Sequence, residues 1–280
     1  NKTTDMQESF EAVSAEELNF DEFCSDVATE DPGRYAKIGY RYEKFLTGIL
    51  NIPDLLTEFK KNGQSGSPEF DRIASFITRQ LKIDSNEIDR LVATDSVPLL
   101  SNGGKAKTDI ICSVHIGDTI KEITFSVKNS TANQVSCHER KASDFMEILG
   151  LPETHRLGEY FSKFQEHGSW EGLVSNSYNY TKQDFHICYA PHRRKLAEWV
   201  LKGQWEPEGN LKYEYQVAQN IFMRRKKDSG EELTCQSWDS HIDKLMAIPL
   251  EKTWDVFGWT YPSDHRGDRI QLKLNLRFFD

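Results

Sequence analysis

Residues 107–130, with the sequence KTDIICSVHIGDTIKEITFSVKNS, constrain the fold of this chain more than any other stretch. Two apolar runs, residues 110–114 and 123–127, have strand length and are rich in β-branched and aromatic residues. Gly117 and Asp118 lie between the two runs, and this dipeptide favours a tight turn. The pattern therefore predicts a β-hairpin.

Polar residues lie at the open end of the predicted hairpin. Asp109 begins the first strand, while Ser126 and Lys128 share one face of the second strand because alternate residues of a strand point the same way. Pairing across the hairpin is expected to bring Asp109 beside them. A carboxylate, a hydroxyl and an ammonium group at the end of a sheet suit a divalent metal ion, an activated water and a phosphate.

An acid followed, after a strand-length gap, by x-x-Lys resembles the signature of the PD-(D/E)xK nucleases. Thr108 stands before the acid here, and Ser126 replaces the second acid. The Lys-Thr-Asp triplet, the hairpin and the polar run that follows are similar to the MspI-like type II restriction endonucleases, which carry Lys-Thr-Asp and Asn-x-Lys in these places. The resemblance extends from about residue 34 to the C-terminus and includes three further segments, residues 39–45, 191–200 and 258–263.

The resemblance implies an α/β fold in which helices flank a central mixed β-sheet, as in other restriction endonucleases. It implies a type II restriction endonuclease that makes Mg²⁺-dependent double-strand cuts at a short palindrome, with CCGG as the candidate sequence. It also implies double-stranded DNA as the partner, a cognate methyltransferase as the genetic partner, a cytoplasmic location, and a monomer or homodimer.

Two alternatives to this function stay open. A structure-specific DNA nuclease of the same fold would share the metal site and cut by DNA shape instead of sequence. A catalytically weak, sequence-specific DNA-binding protein would follow if Ser126 marks a decayed site.

Each residue at the hairpin end has a hypothetical role. Asp109 would hold Mg²⁺ at the scissile phosphate, and Lys128 would orient the attacking water or neutralise charge on the phosphoryl oxygens. Ser126 is a poor ligand for Mg²⁺, which prefers carboxylate and water oxygens. A second metal-binding carboxylate is therefore expected from elsewhere, with Glu43 and Glu139 as the candidates.

Donor-rich segments supply the candidates for DNA contact, with solvated surface as the alternative for each residue. Residues 101–107 form a flexible basic segment before the hairpin, where glycine lets a phosphate backbone approach closely. After the hairpin, a helix is expected to begin near residue 138, and its N-terminus would favour phosphate. The candidates are Lys105, Lys107, Asn129, Ser130, Gln134, Ser136, His138, Arg140, Ser263, His265 and Arg266.

Two basic runs raise the same question. Residues 192–195 fall in the first turn of a predicted helix, where their charge opposes the helix dipole and hints at a phosphate partner. Residues 224–227 fall on a predicted turn between strands 211–224 and 231–236. A helix is predicted after Asp31 and Pro32, because Ile38, Tyr42, Phe45, Leu46 and Ile49 fall on one helical face. Further helices are predicted at residues 69–81, 85–93, 158–166 and 238–247, with a closing strand at 270–278, and Trp259 and Tyr261 are expected in the core.

The acidic residues are unevenly distributed. The chain has 35 basic and 44 acidic residues, a net charge of −9. Residues 1–33 contain ten acids and one base, which leaves 34 acids and 34 bases for residues 34–280. We therefore expect an acidic N-terminal extension (1–33) before a nuclease domain that carries the DNA-recognition elements (34–280). The extension is solvated, or docks as an acidic helix, or is a charge mimic of DNA that masks the cleft.

Other classes of protein are disfavoured by composition. The five cysteines are scattered without a Cys-x-x-Cys pair, which is typical of a reduced, intracellular protein without structural zinc. The mean hydropathy is −0.64 and no apolar run approaches membrane-spanning length.

Overall fold

A computed structural model describes residues 19–24, 34–204 and 213–279. The chain divides into two compact units, Asn1–Thr131 with Glu208–Ser237, and Ala132–Pro207 with Trp238–Asp280. None of the helices in the described ranges combines the length and apolar character needed to cross a bilayer.

The described residues contain α-helices and β-strands in both units. The helices are α1 (Phe20–Phe23), α2 (Arg34–Leu50), α3 (Pro53–Asn62), α4 (Pro68–Leu81), α5 (Ala142–Ile148), α6 (Arg156–His167), α7 (Trp170–Asn176), α8 (Lys182–Tyr189), α9 (Arg193–Ala197), α10 (Tyr213–Gln216) and α11 (Trp238–Met246). The strands are β1 (Arg90–Thr94), β2 (Ile110–Ile116), β3 (Thr119–Ser130), β4 (Gln134–Arg140), β5 (Asn220–Lys227), β6 (Gly230–Ser237), β7 (Phe257–Thr260) and β8 (Ile270–Asn275).

The first unit is built on a five-stranded sheet in the order β1-β2-β3-β5-β6. The pair β3–β5 is parallel and the other neighbours are antiparallel, so the sheet is mixed. Helix α2 packs against β1 and β3, and α4 packs against β6. A mixed sheet flanked by helices confirms the predicted fold class.

The predicted hairpin is confirmed as the pair β2–β3. Ile110 is opposite Phe125, and Gly117 adopts a positive φ of 56° at the turn. A residue with a side chain is strained in this conformation, which explains glycine here. Strand β3 is longer than predicted because it continues through Ser130 to pair with β5.

Helix α2 has two faces that matter for the site. Tyr42, Phe45, Leu46 and Ile49 are buried in the core of the first unit, as their helical spacing predicts. Glu43 and its neighbours on the opposite side of the helix are therefore directed away from this core.

The second unit contains a three-stranded antiparallel sheet in the order β4-β8-β7. An aromatic core forms between this sheet and the helices of the same unit, and Trp259 lies within it, 5.6 Å from Phe164 and 5.3 Å from Trp170 between ring centroids. The indole N–H of Trp259 donates to Asp255 at 3.0 Å. Trp259 therefore packs on this core as expected, although both Trp259 and Tyr261 are half-buried and not fully enclosed.

Besides the turn predicted at residues 224–227, three predictions of secondary structure are wrong. Residues 85–93 form a 3₁₀ turn, Ser85–Glu87, followed by strand β1 instead of a helix. No helix begins near His138, because residues 134–140 are strand β4 and helix α5 starts at Ala142 with Lys141 as its N-cap. The strand predicted at 211–224 begins only at Asn220, after the short helix α10.

The two basic runs are engaged within the protein. The guanidinium of Arg193 is buried and donates to the carbonyl oxygens of Leu245 and Ile248, at 2.9 and 2.8 Å. Arg224 lies in β5 instead of on a turn, and it pairs with Glu231 and, at 3.3 Å, with Asp21. Arg193 and Arg224 therefore have structural partners, which accounts for both without an external phosphate.

Candidate active site

The side chain of Asp109 is fixed by the hairpin. The N–H of Asp109 donates to the carbonyl oxygen of Phe125 at 2.8 Å, which extends the β2–β3 ladder by one residue. The N–H of Val127 in turn donates to a carboxylate oxygen of Asp109 at 2.7 Å. The carboxylate is thereby held against the β3 backbone between Ser126 and Lys128.

Ser126 and Lys128 differ in their access to solvent. Ser126 is buried, whereas Lys128 is half-buried. The ammonium of Lys128 is close enough to Asp109 to favour the ionised carboxylate. The register of β3 thus brings the acid and the amine together, as the spacing predicts, and leaves Ser126 buried.

Helix α2 supplies a second carboxyl group to the same place. Glu43 and Asp109 both line a cleft of about 390 Å³ in the first unit. The other side chains of this cleft come from α2 and from the segment after β1: Tyr40, Lys44, Asp95, Ser96, Val97, Leu99, Lys105, Ala106 and Thr108. The cleft therefore combines three acids with three lysines when Lys128 is included.

The two carboxyl groups influence each other. Burial and, next, the charge of Asp109 raise the pKa of Glu43 to about 8, while Lys105 acts against this rise. Burial also raises the pKa of Asp109, against the hydrogen bond from Val127 and the charge of Lys128. Two such groups in a poorly solvated cleft are more stable as anions when a cation lies between them.

The donor set fits a hard divalent cation. No group of three or more His, Cys, Asp or Glu side chains within the described ranges is placed to bind a metal ion alone. A magnesium site needs fewer protein ligands than three, because Mg²⁺ keeps several waters and takes one or two carboxylates together with substrate phosphate oxygens. Asp109 and Glu43 meet that requirement.

The basic segment before the hairpin also lies at this cleft. Lys105 lines it, and the charges of Lys107 and Lys105 both act on the Asp109 carboxyl group. Thr108 is buried, and its hydroxyl has no hydrogen-bond partner in the described part of the chain. Of the positions predicted from the sequence, Glu43, Lys105, Lys107, Asp109 and Lys128 are brought together here.

Glu139, the other candidate for the second carboxylate, belongs to the second unit. Its carboxylate forms an ion pair with Arg269 at 2.9 Å. A carboxylate that is already paired with a guanidinium is a weaker candidate than Glu43, whose main charge interaction is with another acid.

A polar face of the second sheet carries several of the DNA-contact candidates. Gln134 is opposite Asn275 and Ser136 is opposite Lys273, and both Gln134 and Ser136 are exposed. Paired residues of antiparallel strands share a face, so Lys273 lies on the same face as Ser136. Gln271 is two residues from Lys273 in β8 and therefore lies on that face too. Gln271 is opposite Glu139 in β4 and Thr260 in β7. The core-facing residues of β8 are the alternating Ile270, Leu272 and Leu274.

Gln271 and Lys273 were missed by the sequence reasoning. The strict alternation of apolar and polar residues in 270–275 marks them as one face of a strand. That alternation does not distinguish a face that meets solvent from one that meets DNA. Contact with DNA is indicated only by the neighbouring Gln134 and Ser136.

His138 has a different environment from its predicted neighbours. It is buried, with its ring 4.2 Å from the ring of Trp199 and 5.8 Å from that of Phe145. The register of β4 shifts between Ser136 and His138, and such a bulge changes which residues face each side. His138 therefore points to the aromatic core and is not available for contact with DNA.

The remaining predicted contacts lie at strand and loop ends. Ser263 and Arg266 are exposed, and the Arg266 guanidinium lies 4.9 Å from the ring centroid of Tyr261. His265 lines an open polar cavity of about 390 Å³ in the second unit. Asn129 and Ser130 form the end of β3, and Arg140 is exposed at the end of β4.

Comparison with known proteins first establishes the class. The sequence model of the family described as "Restriction endonuclease MspI" matches residues 24–274. Among curated proteins, the type II restriction enzyme BsuFI from Bacillus subtilis is 30% identical over 200 residues, which cover 69% of this chain and 46% of that enzyme. The chain thus spans about half the length of this relative.

The fold agrees with this class. The crystal structure of restriction endonuclease MspI in complex with its cognate DNA matches 92% of this chain and 97% of its own, with a TM-score of 0.72 and 21% identity. Because the family match covers most of the chain, the chain belongs to the MspI family of restriction endonucleases.

Proposed function

We propose that this protein is a type II site-specific deoxyribonuclease that uses Mg²⁺ to hydrolyse a phosphodiester in both strands of duplex DNA. The observation that carries the proposal is the position of Asp109, whose carboxylate is held by the Val127 N–H beside Lys128 and interacts with Glu43. Membership of the MspI family supports the same activity.

The residues of the cleft have separate tasks. Asp109 and Glu43 hold the ion, which when bound polarises the scissile phosphate and lowers the pKa of its water ligand. Lys128 donates hydrogen bonds to the attacking water or to the phosphoryl oxygens and balances their developing charge. Ser126 is buried and only preserves the packing at the position of the missing acid.

Sequence reading is assigned to the polar face of the second unit. Gln134, Ser136, Gln271 and Lys273 offer amide, hydroxyl and ammonium groups, and lysine or glutamine can address the edges of guanine or adenine in the major groove. CCGG is the first sequence to test, and a cognate methyltransferase would protect the same sequence in the host.

The experiment is digestion of a plasmid of known sequence with and without Mg²⁺, followed by mapping of the cut ends. Discrete fragments with one shared end sequence are expected. Cutting at junctions or hairpins instead of a fixed sequence would favour a structure-specific nuclease. Tight sequence-specific binding without turnover in Mg²⁺ or Mn²⁺ would favour a binding protein.

The metal assignment has its own readout. Mn²⁺ binding measured by electron paramagnetic resonance should weaken in Glu43→Gln and in Asp109→Asn. Glu139→Gln is the matched control, and it should bind Mn²⁺ as the wild type does. Weaker binding in Glu139→Gln alone would move the second carboxylate to residue 139.

A further inference from the structure

One face of α2 carries more than the metal-binding candidate. Tyr40 and Lys44 lie three residues before and one residue after Glu43, and residues separated by three or four positions share a helix face. All three side chains line the Asp109 cleft. Lys44 and Tyr40 have no part in the metal site or in the core of the first unit.

The rim of this cleft is apolar where solvent would favour polar groups. Tyr40 is 54% exposed and Leu99 is 55% exposed. Both lie at the cleft, together with Val97. Isolated exposed apolar residues are normal on protein surfaces, but these two line the same charged cleft.

Lys44 has two partners at the cleft. Its ammonium nitrogen lies 3.6 Å from a carboxylate oxygen of Asp95, and only 18% of the Lys44 side chain is exposed. The same nitrogen lies 4.8 Å from the centroid of the Tyr40 ring. Against the effect of burial, interactions with Tyr40 and Asp95 raise the pKa of Lys44. The ammonium is therefore held charged at the cleft, where a phosphate would have to replace Asp95 as its anion.

We propose that Tyr40 and Lys44 form a subsite for the nucleotide next to the phosphodiester bound at Asp109. The Lys44 ammonium leaves Asp95 to bind the adjacent phosphate, while the deoxyribose of that nucleotide packs on the Tyr40 ring and Leu99. A phosphate followed by a partly apolar sugar is the repeating unit of the duplex backbone, and contacts to it position a protein without regard to base sequence. The inference rests on the proposed nuclease function.

The charge of Lys44 and the charge of Asp95 should have opposite effects on binding. Each neutralised phosphate contributes about 0.9 to the slope of log binding constant against log salt concentration. Lys44→Gln should therefore lower the magnitude of this slope by about 0.9, while Lys44→Arg should preserve it. Asp95→Asn releases the ammonium and should tighten binding at low salt.

The test measures metal-free binding of a short fluorescein-labelled duplex that carries the sequence cut by the wild type. Tyr40→Ala should weaken binding about five- to tenfold, the loss of one apolar contact with a deoxyribose, and Tyr40→Phe should retain most of it. Ile120→Ala is the matched control. Ile120 is 57% exposed, like Tyr40, but lies beside the turn of the β2–β3 hairpin, at the end opposite Asp109. Thermal unfolding of each variant shows whether it is folded.

Three outcomes are distinguishable. A slope that changes in Lys44→Gln and not in Lys44→Arg, with weaker binding by Tyr40→Ala only, supports the subsite. Folded Lys44→Gln and Tyr40→Ala variants that match the wild type in slope and affinity overturn it. A wild type that neither cuts nor binds duplex DNA overturns the proposed function itself.

Discussion

The candidate site places groups of like charge together at the cost of stability. Asp109 and Glu43 are both in a poorly solvated cleft, and burial raises the pKa of each. An apolar residue in either position would give a more stable protein, because burying a carboxyl group costs its solvation. Functional sites are where such local conflicts are retained.

His241 provides a stability test outside that site. It is fully buried, neither ring nitrogen has a partner in the described residues, and its ring stacks 3.8 Å from Phe279. Burial and the charge of Lys244 lower its pKa to about 4. Because the unfolded chain binds the proton more readily, His241 should reduce the free energy of unfolding by about 2 kcal/mol between pH 7 and pH 5.

His241→Leu should remove this loss. Urea titration measures the free energy of unfolding of the variant and of the wild type at each pH. The value for the variant minus the value for the wild type should be about 2 kcal/mol larger at pH 5 than at pH 7. The comparison must be between variant and wild type, because burial raises the pKa of Asp255 to about 6 and its effect has the opposite sign. An equal difference at both pH values would contradict the prediction.

At the scale of the element, strand β1 is supported by the side chain of Asn51, which lies between α2 and α3. It is an edge strand of the first sheet. The Asn51 amide donates to the carbonyl oxygen of Ala93 and accepts from the Ala93 N–H, both at 2.9 Å, so it replaces a neighbouring strand. The strand leads directly to Asp95, which lines the cleft.

Asn51→Ala should therefore lower the free energy of unfolding by about 2 kcal/mol, because two partly buried backbone groups lose their partner. Urea unfolding measures this change. Asn62→Ala is the control, since Asn62 is exposed and its amide bonds only to Glu58, and its effect should stay within about 0.5 kcal/mol. Equal effects of the two substitutions would refute the bracing role of Asn51.

Local pattern predicted some elements and failed for others for identifiable reasons. The β2–β3 hairpin and α2 follow from a turn dipeptide and from helical spacing, which are local signals. The error at residues 85–93 arose because the capping box of Asp84 and Glu87 is a genuine helix-start signal that is followed here by only one 3₁₀ turn. The error near His138 arose because residues 134–140 form β4 by pairing with β8, which is distant in the sequence and leaves no local signal.

The residues of the site were predictable from the sequence only where the elements that carry them were set by local pattern. Asp109 and Lys128 are brought together by hairpin register, which spacing in the sequence specifies. Glu43 lies 66 positions before Asp109, and only the packing of α2 on the sheet places it there. Gln271 and Lys273 needed the order of strands in the second sheet.

At the scale of the whole molecule, the acidic N-terminal segment should oppose DNA binding. Residues 1–18 hold five acids and one base, a net charge of −4, and lie outside the described residues. The adjoining helix α1 is anchored, with Phe20 buried 4.6 Å from the ring of Tyr42. Residues 1–18 can thus be removed without touching this contact.

Deletion of residues 1–18 should strengthen binding of duplex DNA at low salt, because it removes a repulsive charge from the protein. The advantage should disappear as salt rises, since screening weakens the repulsion. Fluorescence anisotropy over a salt series measures both. Equal affinity of the two proteins at every salt concentration would end the masking hypothesis.

The most direct measurement compares Mg²⁺-dependent cleavage of duplex DNA by the wild type, Asp109→Ala and Lys128→Ala. The account predicts that each substitution abolishes cleavage while metal-free binding of the same duplex is retained. Cleavage at the wild-type rate by either folded variant would contradict the assignment of the active site to the end of the β2–β3 hairpin.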